Sequence, residues 1–314
     1  MNFEQFIDAV KNEVREIVGE HYTVSVNCVM KINRERQGLS ISGKGTDTFP
    51  SVYLEEFYED YKSGKPVHDI ALEIIKIVKK RKQDFADFAL ELRDYKWVKP
   101  RLRVKLINYR KNEKLLKTVP HERFLDLAVI PYILISCDNG LATTRVVYSL
   151  LECWGITAEE ILKQAKENTL REAPVVVERM SDFILNIMLK EIEETADGES
   201  EMLLKNLLGS GSSGIEMFIL TNETNMNGAF AAFQSDNLWK LAESTGNEAL
   251  YVLPSSTHEI LAVPAMGMEP DKLQQMVREV NSTQESEEDY LSDSVYLYSK
   301  EKDQISIAAK VPDK

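Results

Sequence analysis

The chain has 314 residues, 43% of them hydrophobic and 28% charged, which suits an ordinary folded protein and excludes wholesale disorder, a collagen-like repeat and a membrane composition. Its formal charge of −13 argues against a protein that coats nucleic acid or anionic membrane with its whole surface, because such proteins release counterions through net positive charge. The total conceals a split: residues 62–123 hold 18 Lys/Arg against 8 Asp/Glu, and the remainder is strongly acidic.

Asn2 caps a first helix whose apolar residues Phe3, Phe6, Ile7, Val10, Val14 and Ile17 recur at steps of three and four, so one face is core. After Gly19 the period becomes two, with Val24, Val26, Cys28 and Met30 on one side, then Leu39 and Ile41; residues 33–38 form the turn of an antiparallel hairpin. Leu54, Phe57, Tyr58 and Tyr61 give a short aromatic helix. Ile70, Ala71, Ile74, Ile75 and Val78 give another that ends in the cations 79–82, which suit a helix C-terminus.

Alternation returns at Arg101, placing Leu102, Val104 and Leu106 on one face of a strand and Arg101, Arg103 and Lys105 on the other. The run 124–136 reads as one buried strand, followed by a turn at Asp138-Asn139-Gly140. Thr157 starts a helix with Glu159 and Glu160 in its first turn, and 175–194 reads as a further helix, acidic at its far end. Strands follow at 215–221, 249–253, 259–263 and near Val295 and Ile305, with helices at 237–244 and 271–280. Without a sustained β-α-β rhythm the class is α+β, with helices and largely antiparallel strands in two closely packed subdomains. These are 1–140, containing the basic segment 96–117, and 141–314, with a soft boundary near 138–155.

The first twenty residues carry seven ionisable side chains and no apolar run of signal-peptide length, so the mature chain is expected to begin at Met1. The longest apolar stretch, 124–137, is interrupted by Asp126 and Pro131 and is short of the roughly 20 residues that span a bilayer. Cys28, Cys137 and Cys153 are odd in number and widely spaced, which points to a reducing cytoplasm, and Cys137 and Cys153, with no histidine close in sequence, read as buried structural thiols. There is no C-x-x-C and no i,i+4 histidine pair, so neither a metal nor a cofactor is expected.

Gly209 to Gly214 satisfies G-x-G-x-x-G, but the strand follows the glycines instead of preceding them, and the string reads as a flexible connector. Ser255-Ser256-Thr257-His258-Glu259 sets a nucleophile type, a base type and a carboxylate side by side. Neighbouring side chains on extended chain point to opposite faces, so a turn is the simpler reading and a Ser/His hydrolase the lesser alternative. His258, Ser256, Ser255 and Glu259, joined by Asn222 and Asn227, instead suit a polar site for a ligand or partner. The stretch 96–117 has nine cations, one acid, and Trp97 and Tyr109 interleaved. Arg101, Arg103 and Lys105 are thus candidate contacts to anions or nucleic acid, against which stand edge-strand protection and pairing with the chain's own carboxylates. His121 reads as a hydrogen-bonded structural histidine.

The phrases SVYLEEFYEDY (51–61), KLINYRKNEKLL (105–116), VPHERFLDLAVIPY (119–132), AKENT (165–169), ILTNETNMNGA (219–229) and LYVLPSSTHEILAVP (250–264) closely resemble an uncharacterised bacterial family. It is a domain of unknown function, frequent in anaerobic Gram-positive bacteria and with no established activity. The resemblance implies shared polar positions at His121, Arg123, Asp126, Asn222, Asn227, Gly228, Ser255, Ser256, His258 and Glu259. The expectation is a soluble cytoplasmic binding or regulatory module without catalysis, acting on a protein or small-molecule partner, with no membrane contact, with self-association open and with nucleic acid as the alternative partner.

Overall fold

The structure, a computed structural model, describes residues 1–43, 51–137, 140–186, 216–283 and 286–310. The chain divides into two compact units, Met1–Pro100 with Glu152–Gly155, and Arg101–Leu151 with Ile156–Lys314. The division therefore falls at Pro100, whereas the sequence suggested 138–155, because the strand after Arg101 pairs with later strands of the second unit. The 209–214 connector and the far end of the expected 175–194 helix lie outside the described residues.

In the first unit, helix α1 (Phe3–Val18) opens on a capping box between Asn2 and Gln5 and buries Phe6, Val10 and Val14, as the spacing predicts. Strands β1 (Tyr22–Met30) and β2 (Glu35–Gly43) form the antiparallel hairpin, with Asn33 at φ 63° in a turn tighter than expected. The two-residue strand β3 (Val52–Tyr53) joins its edge and leads into α2 (Leu54–Lys62). Helix α3 (Val67–Glu91) runs 25 residues, well past the cations at 79–82, since no glycine or proline stops it. Val24, Leu39, Leu54, Ile70 and Ile74 close the core beneath α1, and Phe3, Phe6, Tyr58 and Tyr61 pack ring against ring. After α4 (Tyr95–Val98), Trp154 donates from Nε1 to the Leu92 carbonyl at 2.9 Å and meets the Tyr95 ring, which ties residues 152–155 to this unit. Cys153, expected to be buried, is exposed.

Among its described residues the second unit holds two sheets. In the first, β4 (Leu102–Asn108) pairs with β6 (Leu127–Cys137), whose other edge carries β5 (Glu122–Phe124) and β7 (Gly140–Arg145) in succession. The apolar run read as one strand is thus a hairpin broken at Leu125-Asp126, where Leu125 adopts φ 56°. A short α5 (Glu113–Leu116) lies between β4 and β5, and α6 (Tyr148–Trp154) follows β7. Helix α7 (Ala158–Glu172), capped by a Thr157/Glu160 box, covers the open edge of β4. Buried Thr169 accepts the Val104 N–H at 2.9 Å on its hydroxyl, and buried Asn168 donates to the Leu102 carbonyl at 3.1 Å. The edge strand is closed by side chains standing in for a neighbouring strand.

The other sheet has the order β13-β12-β10-β11-β9-β8 and is antiparallel throughout. Strand β8 (Val175–Arg179) replaces the start of the expected helix. Val175-Val176-Val177 is β-branched at every position and pairs with β9 (Phe218–Asn222); among the described residues of that stretch, 180–186 are helical. Helices α8 (Ala229–Ala232) and α9 (Ser235–Thr245) precede β10 (Ala249–Leu253) and β11 (Ile260–Pro264). Helix α10 (Pro270–Ser282) lays Leu273 and Val277 on Tyr251, Val263 and Val295, and β12 (Val295–Ser299) and β13 (Gln304–Ala309) complete the sheet. With three mainly antiparallel sheets alongside helices among the described residues, the protein is α+β. Among the described residues no helix is long and apolar enough to cross a membrane.

Candidate functional site

Asn222 ends β9, and its carboxamide closes the loop that follows. Oδ1 accepts from the Thr224 N–H, the Thr224 hydroxyl and the Met226 N–H at 3.2, 3.0 and 3.2 Å, while Nδ2 donates to the Met226 carbonyl at 2.8 Å. Asn225 and Asn227 take φ of 53° and 52°, a conformation Asn tolerates better than other side chains. The Asn227 N–H donates to His258 Nδ1 at 3.1 Å. A backbone N–H can only donate, so Nδ1 carries no proton in this arrangement and Nε2 faces Asp289 Oδ1 at 3.0 Å as the donor.

Further bonds fasten the 255–259 turn around this imidazole. Ser256 Oγ accepts the His258 N–H at 3.0 Å, the Ser256 N–H donates to the Glu259 carbonyl at 3.2 Å, and the Thr257 N–H donates to the Asp289 carbonyl at 2.8 Å. The Thr221 hydroxyl donates to the His258 carbonyl at 2.9 Å. Gly228 sits where a Cβ would come within 2.6 Å of that carbonyl and 2.8 Å of the Asn222 nitrogen, so only glycine fits. Ser255 is half-buried beside the turn and Glu259 takes part through its backbone. The hydrolase alternative meets a specific obstacle here: both imidazole nitrogens are engaged by Asn227 and Asp289, so neither Ser255 nor Ser256 has His258 as its base.

The basic strand makes contacts of its own. Arg103 lies opposite Tyr132 in the β4–β6 register, and Lys105 places Nζ 5.5 Å from the Tyr132 ring centre. Burial raises the Tyr132 phenol's pKa, and the nearby Asn227 side chain and the charge of Arg103 offset part of the rise. Arg103 is itself held inward, paired with Glu172 and donating to the Leu102 carbonyl at 2.7 Å, its side chain 11% exposed. Two sets of contacts therefore carry the candidates of this unit: Asn227–His258–Asp289, joined by hydrogen bonds, and the Glu172–Arg103 pair on β4. Arg101 lies just outside β4, in the 3-10 turn before it.

The residue after Asp289 opens onto a different feature. Segment 289–294 runs past the β5–β6 turn, where Asp126 accepts three hydroxyls: Ser292 and Ser294 on Oδ2 at 2.7 Å each, and Tyr296 on Oδ1 at 2.6 Å. Burial, and then the neighbouring Asp126 charge, push the Tyr296 phenol well above its ordinary pKa, so it remains a donor. The Tyr109 N–H donates to the Asp126 carbonyl at 3.1 Å and Asn108 Nδ2 to the Leu291 carbonyl at 2.9 Å. Above this floor lies a polar cleft of about 430 Å³, walled by Tyr109, Lys111, Arg123, Tyr290 and Asp293.

Two cations in the cleft are fixed without a carboxylate partner among the described residues. Arg123 donates from Nε to the Leu125 carbonyl at 3.0 Å and rests its guanidinium 4.5 Å from the Tyr109 ring centre. Lys111 holds Nζ 4.0 Å from the Tyr290 ring centre. Tyr109 in turn meets the edge of His121, whose Nδ1 lies 3.1 Å from the Val119 carbonyl. Sequence reasoning passed over Tyr290, counted Lys111 only as one cation of the basic stretch, and named Asp126 only through the family resemblance, without the hydroxyls that it gathers. The signal for Asp126 was a charge inside an apolar run, but the hydroxyls that explain it stand 166 to 170 residues away.

The fold and site thus define an α+β protein with a braced polar network beside an open cleft carrying cations. Residues 3–300 match the model of a family of unknown function, DUF5688, and the chain belongs to that family. No curated protein and no solved structure matches it.

Proposed function

We propose that the protein is a non-catalytic cytoplasmic binding module, and that its ligand-facing surface is the cleft around Arg123 and Lys111, which takes a small oxyanion-bearing ligand, a carboxylate or phosphate. The observation that carries this is Arg123: Tyr109 and the Leu125 carbonyl fix its guanidinium, while its terminal amino groups meet no acid among the described residues. A pre-organised fork of that kind binds an oxyanion through paired N–H donors with little ordering cost. Asn222, Asn227, Ser256 and His258 brace the neighbouring wall, which accounts for polar groups at buried positions without assigning them chemistry. Nucleic-acid association through Arg101, Arg103 and Lys105 has less support, because Arg103 is engaged by Glu172 and the net charge of −13 opposes polyanions.

Calorimetric titration with inorganic phosphate and, separately, malonate at low ionic strength tests the proposal. Saturable binding that weakens by about tenfold or more in Arg123→Ala, and falls with added salt, supports it. Absence of saturation, or equal binding by Arg123→Ala, overturns it.

A further inference from the structure

Strand β5 has three residues, and its pleat serves two cavities. Arg123 lines the polar cleft, while Glu122 and Phe124 line a second cavity of about 390 Å³, a volume in the range of small-molecule sites. The floor of that cavity is apolar: Leu106, Phe124, Val129, Phe230, Phe233 and Ile305. Phe233 stands edge-on to both Phe124 and Tyr296, with ring centres 5.6 and 5.2 Å apart, so the floor is formed before anything enters. Leu170, 44% exposed, sits at the mouth.

The rim has a definite charge. Glu122 and Lys166 pair at 2.6 Å and cancel. Asp303 remains: Oδ1 accepts the Tyr298 hydroxyl at 2.9 Å, and no cation pairs with its carboxylate among the described residues. The adjoining small cavity adds Asp236 and Lys240, one of each sign, which leaves the Asp303 charge uncompensated. The Tyr298 hydrogen bond holds that carboxylate at the rim, on a residue whose backbone takes φ 45°.

We infer that this cavity is a second binding site, for a small organic cation with an apolar body, such as an aryl-alkyl primary amine whose ring lies on Phe124 and Phe233 and whose ammonium meets Asp303. Burial of the body supplies the affinity, and the lone carboxylate selects the charge. The site is independent of the anion cleft, since β5 gives the two cavities different side chains.

The probe is 2-phenylethylamine, titrated into the full chain by saturation-transfer NMR and calorimetry, with 2-phenylethanol and 3-phenylpropionate as neutral and anionic counterparts. The amine should saturate, and the alcohol and acid should bind about tenfold more weakly or not at all. Asp303→Asn keeps a side chain that tolerates the backbone and accepts from Tyr298, and it should weaken the amine to the level of the alcohol. Leu170→Arg, at the exposed mouth, should abolish binding while Arg123→Ala leaves it unchanged. The inference is overturned if the amine fails to saturate by about 10 mM, the weak end of useful affinity, or if all three probes bind alike. A concentration-dependent dimer lost in Leu170→Arg would also overturn it, by assigning the mouth to a second copy of the chain.

Discussion

His258 and Asp289 meet at 3.0 Å through Nε2 while the opposite ring nitrogen accepts the Asn227 N–H, so one imidazole fastens three segments widely separated in sequence. The histidine acts as a rivet, and its removal leaves a donor and a carboxylate without their partner.

His258→Ala should lower stability by about 1–3 kcal/mol, the cost of leaving partly buried polar groups unpaired. Gly228→Ala should cost at least as much, about 1–3 kcal/mol for forced displacement of packed backbone. Urea unfolding measures both; near-neutral results would show that the two loops do not depend on each other.

Asp126 organises three hydroxyls, so Asp126→Asn should cost about 1.5–3 kcal/mol, the scale of hydrogen bonds to a charged group. The same hub sets an alkaline limit. The Tyr296 phenol has a folded pKa raised far above the ordinary 10.0 by burial and Asp126, and Tyr132, Tyr290 and Tyr298 are raised as well. Above pH 10 the unfolded chain therefore loses these protons while the folded chain keeps them, and stability falls as pH rises. Phenolate absorbance should appear together with unfolding, and Tyr296→Phe should make the decline shallower.

In the first unit His68 Nδ1 lies 2.6 Å from Glu13, and that hydrogen bond raises the imidazole pKa above 6.5. A raised cation pKa stabilises below the unfolded value and loses that contribution as pH climbs through the folded one. NMR titration should show His68 titrating above 6.5, and Glu13→Gln should return it towards that value.

Thr169→Val keeps the shape of the side chain but removes the acceptor for the buried Val104 N–H. It should cost about 1–3 kcal/mol by urea unfolding, with the largest rise in amide exchange at Val104. Unchanged exchange there would mean that the edge of β4 is protected in another way.

Periodicity made much of the fold legible. The step of three and four in α1 and the alternation of β2 and β4 translate directly into buried faces, because a single element determines each, whereas on the expected face of β1 Val24 is buried but Cys28 is exposed. Val175-Val176-Val177 misled because it abuts a helix-like acidic stretch, and only pairing with β9, across residues the local pattern does not see, makes it a strand. The break at Leu125 was hidden because the positive φ falls on leucine instead of glycine. In the candidate site, Ser256 and His258 stood out as residue types, yet their roles depend on Asn227 and Asp289, each 31 residues from His258. Backbone partners such as the Asn227 N–H leave no compositional trace, so the direction in which a polar residue is used stays invisible until the chain is folded.

Because β5 sends alternate side chains to opposite sides, its sidedness is set by parity alone. Removing one residue from the corner at Leu125-Asp126 would shift the pleat by one position and deliver a guanidinium to the apolar cavity and a phenyl ring to the polar cleft. Leu125, held in its left-handed turn, keeps that count: the backbone corner beside β5 is what stops the two cavities from exchanging their chemistry.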